Sequence, residues 1–185
     1  MKLIEKKIES KTIYSSDFVK IFEDEVLLPN NKNSKRVYIK HPGAACALPV
    51  LDDGRILLVK QYRYPVNLVT IELPAGKKDL GENSLETIAR ELEEETGYRA
   101  TDFEFVMSIH NAIAYSDEVI DCYLAKGLIK VDNPLPKDED EFTETVIYSL
   151  KELKEMLRLN QITDVKTIIM IQNYLLKMEE IWEKT

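Results

Sequence analysis

Three glutamates in the segment RELEEETG, Glu91, Glu94 and Glu95, stand at positions i, i+3 and i+4. On a helix that spacing brings carboxylates close together, and each like-charge pair then costs about 0.2–0.5 kcal/mol. A divalent cation would convert the repulsion into a binding site. Hard oxygen donors suit magnesium or manganese, which bind through a few carboxylates, water and substrate phosphate oxygens. No His or Cys stands in the run to favour zinc. A glutamate run by itself is most often a solvated helix face. Gly76, Glu82, Arg90 and Gly97, at fixed distances around this one, overturn that reading.

The carboxylates need a helix to present them. The sequence predicts one from about Leu85 to Thr96, with Asn83 or Ser84 as N-cap and Gly97 ending it. Leu85, Ile88, Ala89 and Leu92 recur at i, i+3, i+4 and i+7, so this stripe is expected to anchor the helix, with the glutamates on a different face. Strands are expected on both sides of it. KTIYSSDFVKIFEDEVLLP and KRVYIK, parted by the turn cluster 29–33, form one or two hairpins. AACALPVL and RILLVKQYRY flank Asp52-Asp53-Gly54 and read as another hairpin. FEFVMSIH, EVIDCYLAKGL and TETVIYSL are further strands, and residues 132–141 a polar loop. Ser149 and Glu152 form a capping box for a helix reaching about Leu159, and VKTIIMIQNYLLKMEEIWEK makes a last helix. The pattern is α+β, mixed strands flanked by three helices.

Composition narrows the function. A chain of 185 residues with 44% hydrophobic and 31% charged residues is globular and large enough for a proper core. A net charge of −8, widely spread, argues against nucleic acid or an anionic membrane as the main partner. An acidic protein acting on an anionic substrate needs cations. Cys46 and Cys122 sit in apolar surroundings without CxxC spacing, as buried thiols in a reducing compartment do. MKLIEKKIESK has no apolar core of a signal peptide, and no stretch approaches ~18 apolar residues, so a soluble, cytoplasmic protein is expected. His41 and His110 lack metal-ligand spacing and are read as structural.

Positions 76–98 read GKKDLGENSLETIARELEEETGY. This resembles the complete Nudix box, Gx5Ex7REUxEExGU with U apolar or aromatic, and a chance match is on the order of one in a million at ordinary residue frequencies. The resemblance implies a Nudix fold, mixed β-sheets sandwiched by helices, and metal-dependent hydrolysis of a diphosphate. It implies Glu91 and Glu95 as the main metal ligands, Glu94 as a further ligand or outer partner, and the Ala75 carbonyl beside them. Arg90 with Glu82 would orient the ligands, Gly76 would let the loop pack close, and Gly97 closes the box.

Outside the box, VKQYRYPVNLVTIELPAGK and AIAYSDEVIDCYLAKGL are similar to the corresponding stretches of ADP-ribose pyrophosphatases. That resemblance makes Arg63 a candidate for holding the diphosphate or terminal ribose. Counting back from Ser149, it makes Glu139 the catalytic base and Glu141 a further carboxylate reaching the metals, or the substitute base. It implies an N-terminal β extension, residues 1–42, through which a homodimer forms ahead of a Nudix domain at 43–185. Phe18 would stack on adenine, and Arg36 would reach the base or diphosphate. The implied substrate is a nucleoside diphosphate sugar, ADP-ribose first, giving AMP and ribose 5-phosphate, with magnesium or manganese as cofactor. Ile113 stands where many ADP-ribose enzymes carry proline, sixteen residues after Gly97. GDP-mannose and other ADP- or UDP-sugars therefore stay open, as does a metal- or nucleotide-binding module without turnover.

Overall fold

The computed structural model describes residues 3–16, 19–137 and 141–182. It divides into two compact units, one running to Gly43 and including His110–Val119, the other comprising Ala44–Ile109 and Ile120 onward. Among the described residues no helix is long and apolar enough to cross a membrane.

The smaller unit is an antiparallel meander, β1 (Lys6–Ser15), β2 (Lys20–Leu27) and β3 (Asn33–Lys40), in the order β1-β2-β3. Asn31 takes the left-handed conformation that the turn before β3 requires, φ 62°. Phe22 and Tyr38 stack across β2 and β3 with ring centroids 5.7 Å apart. The segment 110–119 joins this unit through a parallel bridge between Ile39 and Ser116. The Asp117 carboxylate accepts from the His41 backbone N–H at 2.8 Å and from the Lys40 ammonium.

In the larger unit, β4 (Ala44–Pro49) and β5 (Ile56–Arg63) flank the expected turn, where Gly54 has φ 80° and its N–H donates to the Leu51 carbonyl at 2.8 Å. The turn is as read, but the long hairpin is not. After one bridge, Val50–Ile56, the strands part into different sheets. One sheet has the order β10-β5-β6, with β6 at Leu68–Glu72 and β10 at Thr143–Tyr148. The other has the order β7-β4-β9-β8, with β7 at Ala75–Lys77, β8 at Tyr98–His110 and β9 at Val119–Lys130. The cause is the absence of a polar face: all six residues of β4 and the first four of β5 are buried. A strand apolar on both sides belongs at the centre of a covered sheet rather than in a half-solvated ribbon.

Alternation sorts the side chains of β4. Cys46 and Leu48 join Cys122 and Leu124 of the parallel strand β9, Ile56 and Leu58 of β5, and Leu153, Met170 and Ile171 from the two C-terminal helices. Those helices are α2 (Leu150–Arg158), capped by Ser149 and Glu152, and α3 (Val165–Trp182). Ala45 and Ala47 point the other way, against Ile88 and Leu92 of α1 (Ser84–Thr96). Alanine there lets the helix lie close on the sheet.

The face that α1 buries differs from the expected stripe. Ile88 and Leu92 are fully buried, while Leu85 is 45% exposed and Ala89 is also exposed. Thr87, Glu93 and Glu95 are buried instead. The helix is rolled so that Ile88 and Leu92 stay inward with Thr87 and Glu95 beside them, while Leu85 and Ala89 turn out. Leu92→Ala should therefore cost about 2–5 kcal/mol of stability, and Leu85→Ala under about 1 kcal/mol. Urea unfolding of the two variants checks this; equal losses would contradict the roll.

Candidate active site

Helix α1 is fixed at both ends. Asn83 accepts from the Leu85 and Glu86 backbone N–H groups at 3.0 Å each, and Glu86 returns the bond to the Asn83 N–H at 3.0 Å. Gly97 ends the helix at φ 73°, its N–H donating to the Glu93 carbonyl at 2.8 Å. The Asp121 carboxylate of β9 accepts from Ser84 at the first turn, from Ser108 of β8 at 2.6 Å and from Lys78 at 3.0 Å. These bonds anchor the helix start to the sheet below it.

On this anchored helix Glu91 and Glu95 face β7. Each, together with Glu141, offers a carboxylate oxygen within 4.8 Å of the others, the one such acidic cluster among the described residues. Glu95 is 2% exposed, and its Oε2 accepts from the Ala75 backbone N–H at 3.1 Å. Glu91 lies against Gly76 so closely that a Cβ on Gly76 would sit 1.8 Å from its Oε1. Any side chain there would push the Glu91 carboxylate out of this position. Glu141 comes from the segment leading into β10, and the Thr143 hydroxyl donates to the Glu95 carbonyl at 3.3 Å.

Arg90 organises the outer side of the cluster. Its Nε and Nη2 donate to the two oxygens of Glu82 at 2.9 and 3.0 Å, while Nη1 donates to Glu91 at 2.9 Å and Glu94 at 2.8 Å. Glu82 in turn accepts from the Thr87 hydroxyl at 2.9 Å and the Asp79 N–H at 3.2 Å. These donors, Arg90 first, hold its carboxyl down at about 2. Glu94 thus lies on Arg90.

The cluster carries the electrostatic signature of a cation site. Burial pushes the Glu91 carboxyl up to about 7 against the pull of Arg90, with Glu94 and Glu141 adding to the rise. Burial, then Glu141 and Glu91, hold Glu95 well above the usual carboxylate range. Three clustered oxygen donors, two of them with raised pKa, beside a backbone with no Cβ to obstruct them, fit a divalent metal ion.

Of the other candidates, Arg63 ends β5 with Nε and Nη2 each 2.8 Å from an oxygen of Glu72. Arg36 of β3, in the smaller unit, donates to both oxygens of Glu5, at 2.9 and 2.5 Å. Phe18 and Glu139 lie outside the described residues. Cys46 and Cys122 are buried free thiols, opposite one another with sulfurs 3.4 Å apart. His41 accepts from the Gly43 N–H at 3.1 Å through Nδ1, with Nε2 3.6 Å from Glu118. What the sequence reading missed is the buried set around Glu72, where Lys166 donates to Glu72 at 2.5 Å and to Asp164 at 3.0 Å. A glutamate in the otherwise apolar run VTIELP was the available signal, but nothing marks a lysine 94 residues away as its partner.

Residues 40–168 match the NUDIX domain family. The chain belongs to the Nudix family. A methanol dehydrogenase activator of Bacillus methanolicus is 40% identical to it over 168 residues, 91% of either chain. An ADP-ribose pyrophosphatase of Bacillus subtilis (strain 168) is 38% identical over 175 residues, 95% of either chain. A crystal structure of an ADP compounds hydrolase, 20% identical, superposes with a TM-score of 0.81 over 95% of both chains and shows the same fold. Nudix hydrolases generally need a divalent metal, and the carboxylate cluster lies within the matched region of the chain.

The raised Glu91 pKa fixes a pH dependence. A carboxyl whose folded pKa exceeds its unfolded value contributes stability that is present below about 4.5 and lost as pH rises through about 7. Glu72 and Glu82, both at about 2, lose their contribution only as pH falls from about 4.5, so the windows do not overlap. Metal-free Glu91→Gln should therefore melt above the parent at pH 8, with the gain shrinking between pH 7 and 4.5. Divalent metal should reverse the order at pH 8. Thermal melts in chelator and in magnesium test this, and identical chelated melts at pH 8 would contradict it.

Proposed function

We propose that this Nudix enzyme hydrolyses the diphosphate linkage of a nucleoside diphosphate sugar, ADP-ribose foremost, to AMP and ribose 5-phosphate. The observation that carries the proposal is the convergence of Glu91 and Glu95, from a complete Nudix box, with Glu141 on one small volume. Similarity to the Bacillus subtilis ADP-ribose pyrophosphatase along nearly the whole chain supports the substrate class.

Glu91, Glu95 and Glu141 would hold magnesium, with manganese as a substitute, together with the Ala75 carbonyl; Glu94 serves as a further ligand or, through Arg90, as an outer partner. Such an ion neutralises the diphosphate oxygens and the charge growing on the leaving phosphate. Arg90 restrains Glu91 through a charge-assisted bond, so that the carboxylate is in place before substrate arrives. Arg63, held by Glu72 through Nε and Nη2, would turn Nη1, which has no bond among the described residues, to a phosphate or ribose oxygen. Glu139 takes the proton of the attacking water as the new P–O bond forms in line and the bridging P–O bond breaks. Glu141 is its substitute in that role.

A panel of ADP-ribose, GDP-mannose and other ADP- and UDP-sugars, assayed for mononucleotide release with and without magnesium, tests the reading. ADP-ribose should turn over fastest and only with metal. Glu91→Gln and Glu95→Gln should each lower turnover about a hundredfold or more, and Glu139→Gln should cost about 10²–10⁴ in kcat with little change in KM. No turnover of any panel member would sink the enzyme reading. Near-parental Glu91→Gln and Glu95→Gln would remove the metal assignment, and an active Glu139→Gln with a dead Glu141→Gln would move the base.

The N-terminal meander is proposed to serve a homodimer in a cytoplasmic setting. Every residue of β1 is exposed in the single chain, Ile8 and Tyr14 more than half so, which leaves a surface for a second copy. Phe18 and Arg36 would then complete a partner's nucleotide pocket. Deleting residues 1–40 should abolish both the dimer in sedimentation and the activity. A monomeric, fully active parent chain would refute it.

A further inference from the structure

The five residues that lead into the carboxylate cluster are each tied to a different neighbour. Glu72, 3% exposed, accepts from Arg63 at 2.8 Å, from Thr70 at 2.6 Å and from Lys166 at 2.5 Å. The Leu73 N–H donates to the Thr167 hydroxyl at 2.8 Å. The Pro74 carbonyl accepts from the Ala47 N–H at 3.1 Å. Ala75 donates to Glu95 at 3.1 Å, and Gly76 carries Glu91 against its backbone. Of these ties, those at Glu72 and Leu73 reach the first turn of α3, a helix that supplies no carboxylate to the cluster.

Thr167 is completely buried, and its hydroxyl works in both directions. It donates to Asp164 Oδ2 at 2.5 Å while accepting from Leu73, and Asp164 also accepts from the Thr167 N–H at 3.0 Å and from Lys166 at 3.0 Å. Asp164 therefore sets the direction of the hydroxyl proton and leaves the oxygen lone pair for Leu73. Buried charge networks of this kind are weak sources of stability compared with apolar residues of equal volume. What they supply here is a defined position. A shift of Leu73 would be passed through Pro74 to the Ala75 N–H that meets Glu95, at the start of the short pairing of β7 with β4.

We propose that Thr167, oriented by Asp164, is a positioning residue of the metal site: its hydroxyl fixes Leu73 and thereby sets Ala75 and Gly76 against Glu95 and Glu91. This rests on the reading that the Glu91, Glu95 and Glu141 cluster binds metal. Outer groups that orient metal ligands typically change metal affinity 10–100-fold when removed.

Thr167→Val keeps the side-chain shape and removes the hydroxyl, Thr167→Ser keeps the hydroxyl, and Ile171→Val weakens the packing of the same helix without touching the network. Mn2+ binding, followed by the loss of the free-ion EPR signal, is measured on the full chain, with the Mn2+ requirement for turnover alongside. Thr167→Val should bind Mn2+ about tenfold more weakly or worse, with the substrate KM at saturating Mn2+ unchanged. Thr167→Ser and Ile171→Val should stay within about threefold of the parent, below the range expected for a lost orienting group. If Thr167→Val does not fold, Asp164→Asn, which weakens the same hydroxyl's orientation, should show the loss. Parental Mn2+ affinity in Thr167→Val, or in Asp164→Asn where that replaces it, overturns the proposal while Glu95→Gln still loses binding. Parental affinity in Glu95→Gln overturns the metal reading itself.

Discussion

Like charges held close together away from water set the conditions for the rest of the larger unit. Glu91, Glu95 and Glu141 bring oxygens within 4.8 Å of one another, and burial already disfavours ionisation of the first two. A chain left to itself would swing these side chains apart into solvent. Here the helix that bears two of them is capped at both ends, pinned at its start to Asp121 and seated on alanines of β4. The stability of the apolar layers thus carries a local electrostatic cost that a bound cation would relieve.

Arg90 and the backbone of β7 share the task of holding the carboxylates, and they do so differently. Arg90 offers a charged, planar donor set and engages three glutamates at once, so it constrains direction while lowering the local negative potential. The Ala75 N–H and the bare backbone of Gly76 add no charge and define distance. A site that must accept a cation is better framed by few positive groups than by many. One guanidinium plus neutral backbone is consistent with that requirement.

Much of this was legible in the sequence because it depends on local rules. The Asn83 cap, the Gly97 stop, the Ser149 and Glu152 box and the turn at Gly54 are each decided within a few residues. The spacing of Glu91 and Glu95 likewise placed two carboxylates together without knowledge of the sheet. Leu85 and Ala89 were misread as buried because periodicity ranks faces by hydrophobicity, whereas the roll that seats Ile88 and Leu92 on the β4 alanines turns Glu95 and Thr87 inward beside them. β4 and β5 read as a hairpin because a turn signal is silent about what lies beyond its first bridge. The Glu72–Lys166 pair spans 94 residues, and no local pattern encodes it.

The meander has a consequence for synthesis. Strands β1 to β3 leave the ribosome before the segment 110–119 whose Ser116 bridges Ile39, a gap of roughly seventy residues and so of several seconds at ordinary translation rates. During that interval both the edge of β1 and the edge of β3 lie open to neighbouring nascent chains. Lys6, Lys7, Glu9 and Lys11 on the first strand, with Lys35, Arg36 and Lys40 on the third, put charges along those edges. Charged edges discourage strand-to-strand association, so these residues would lessen pairing between neighbouring nascent chains until the segment 110–119 is made.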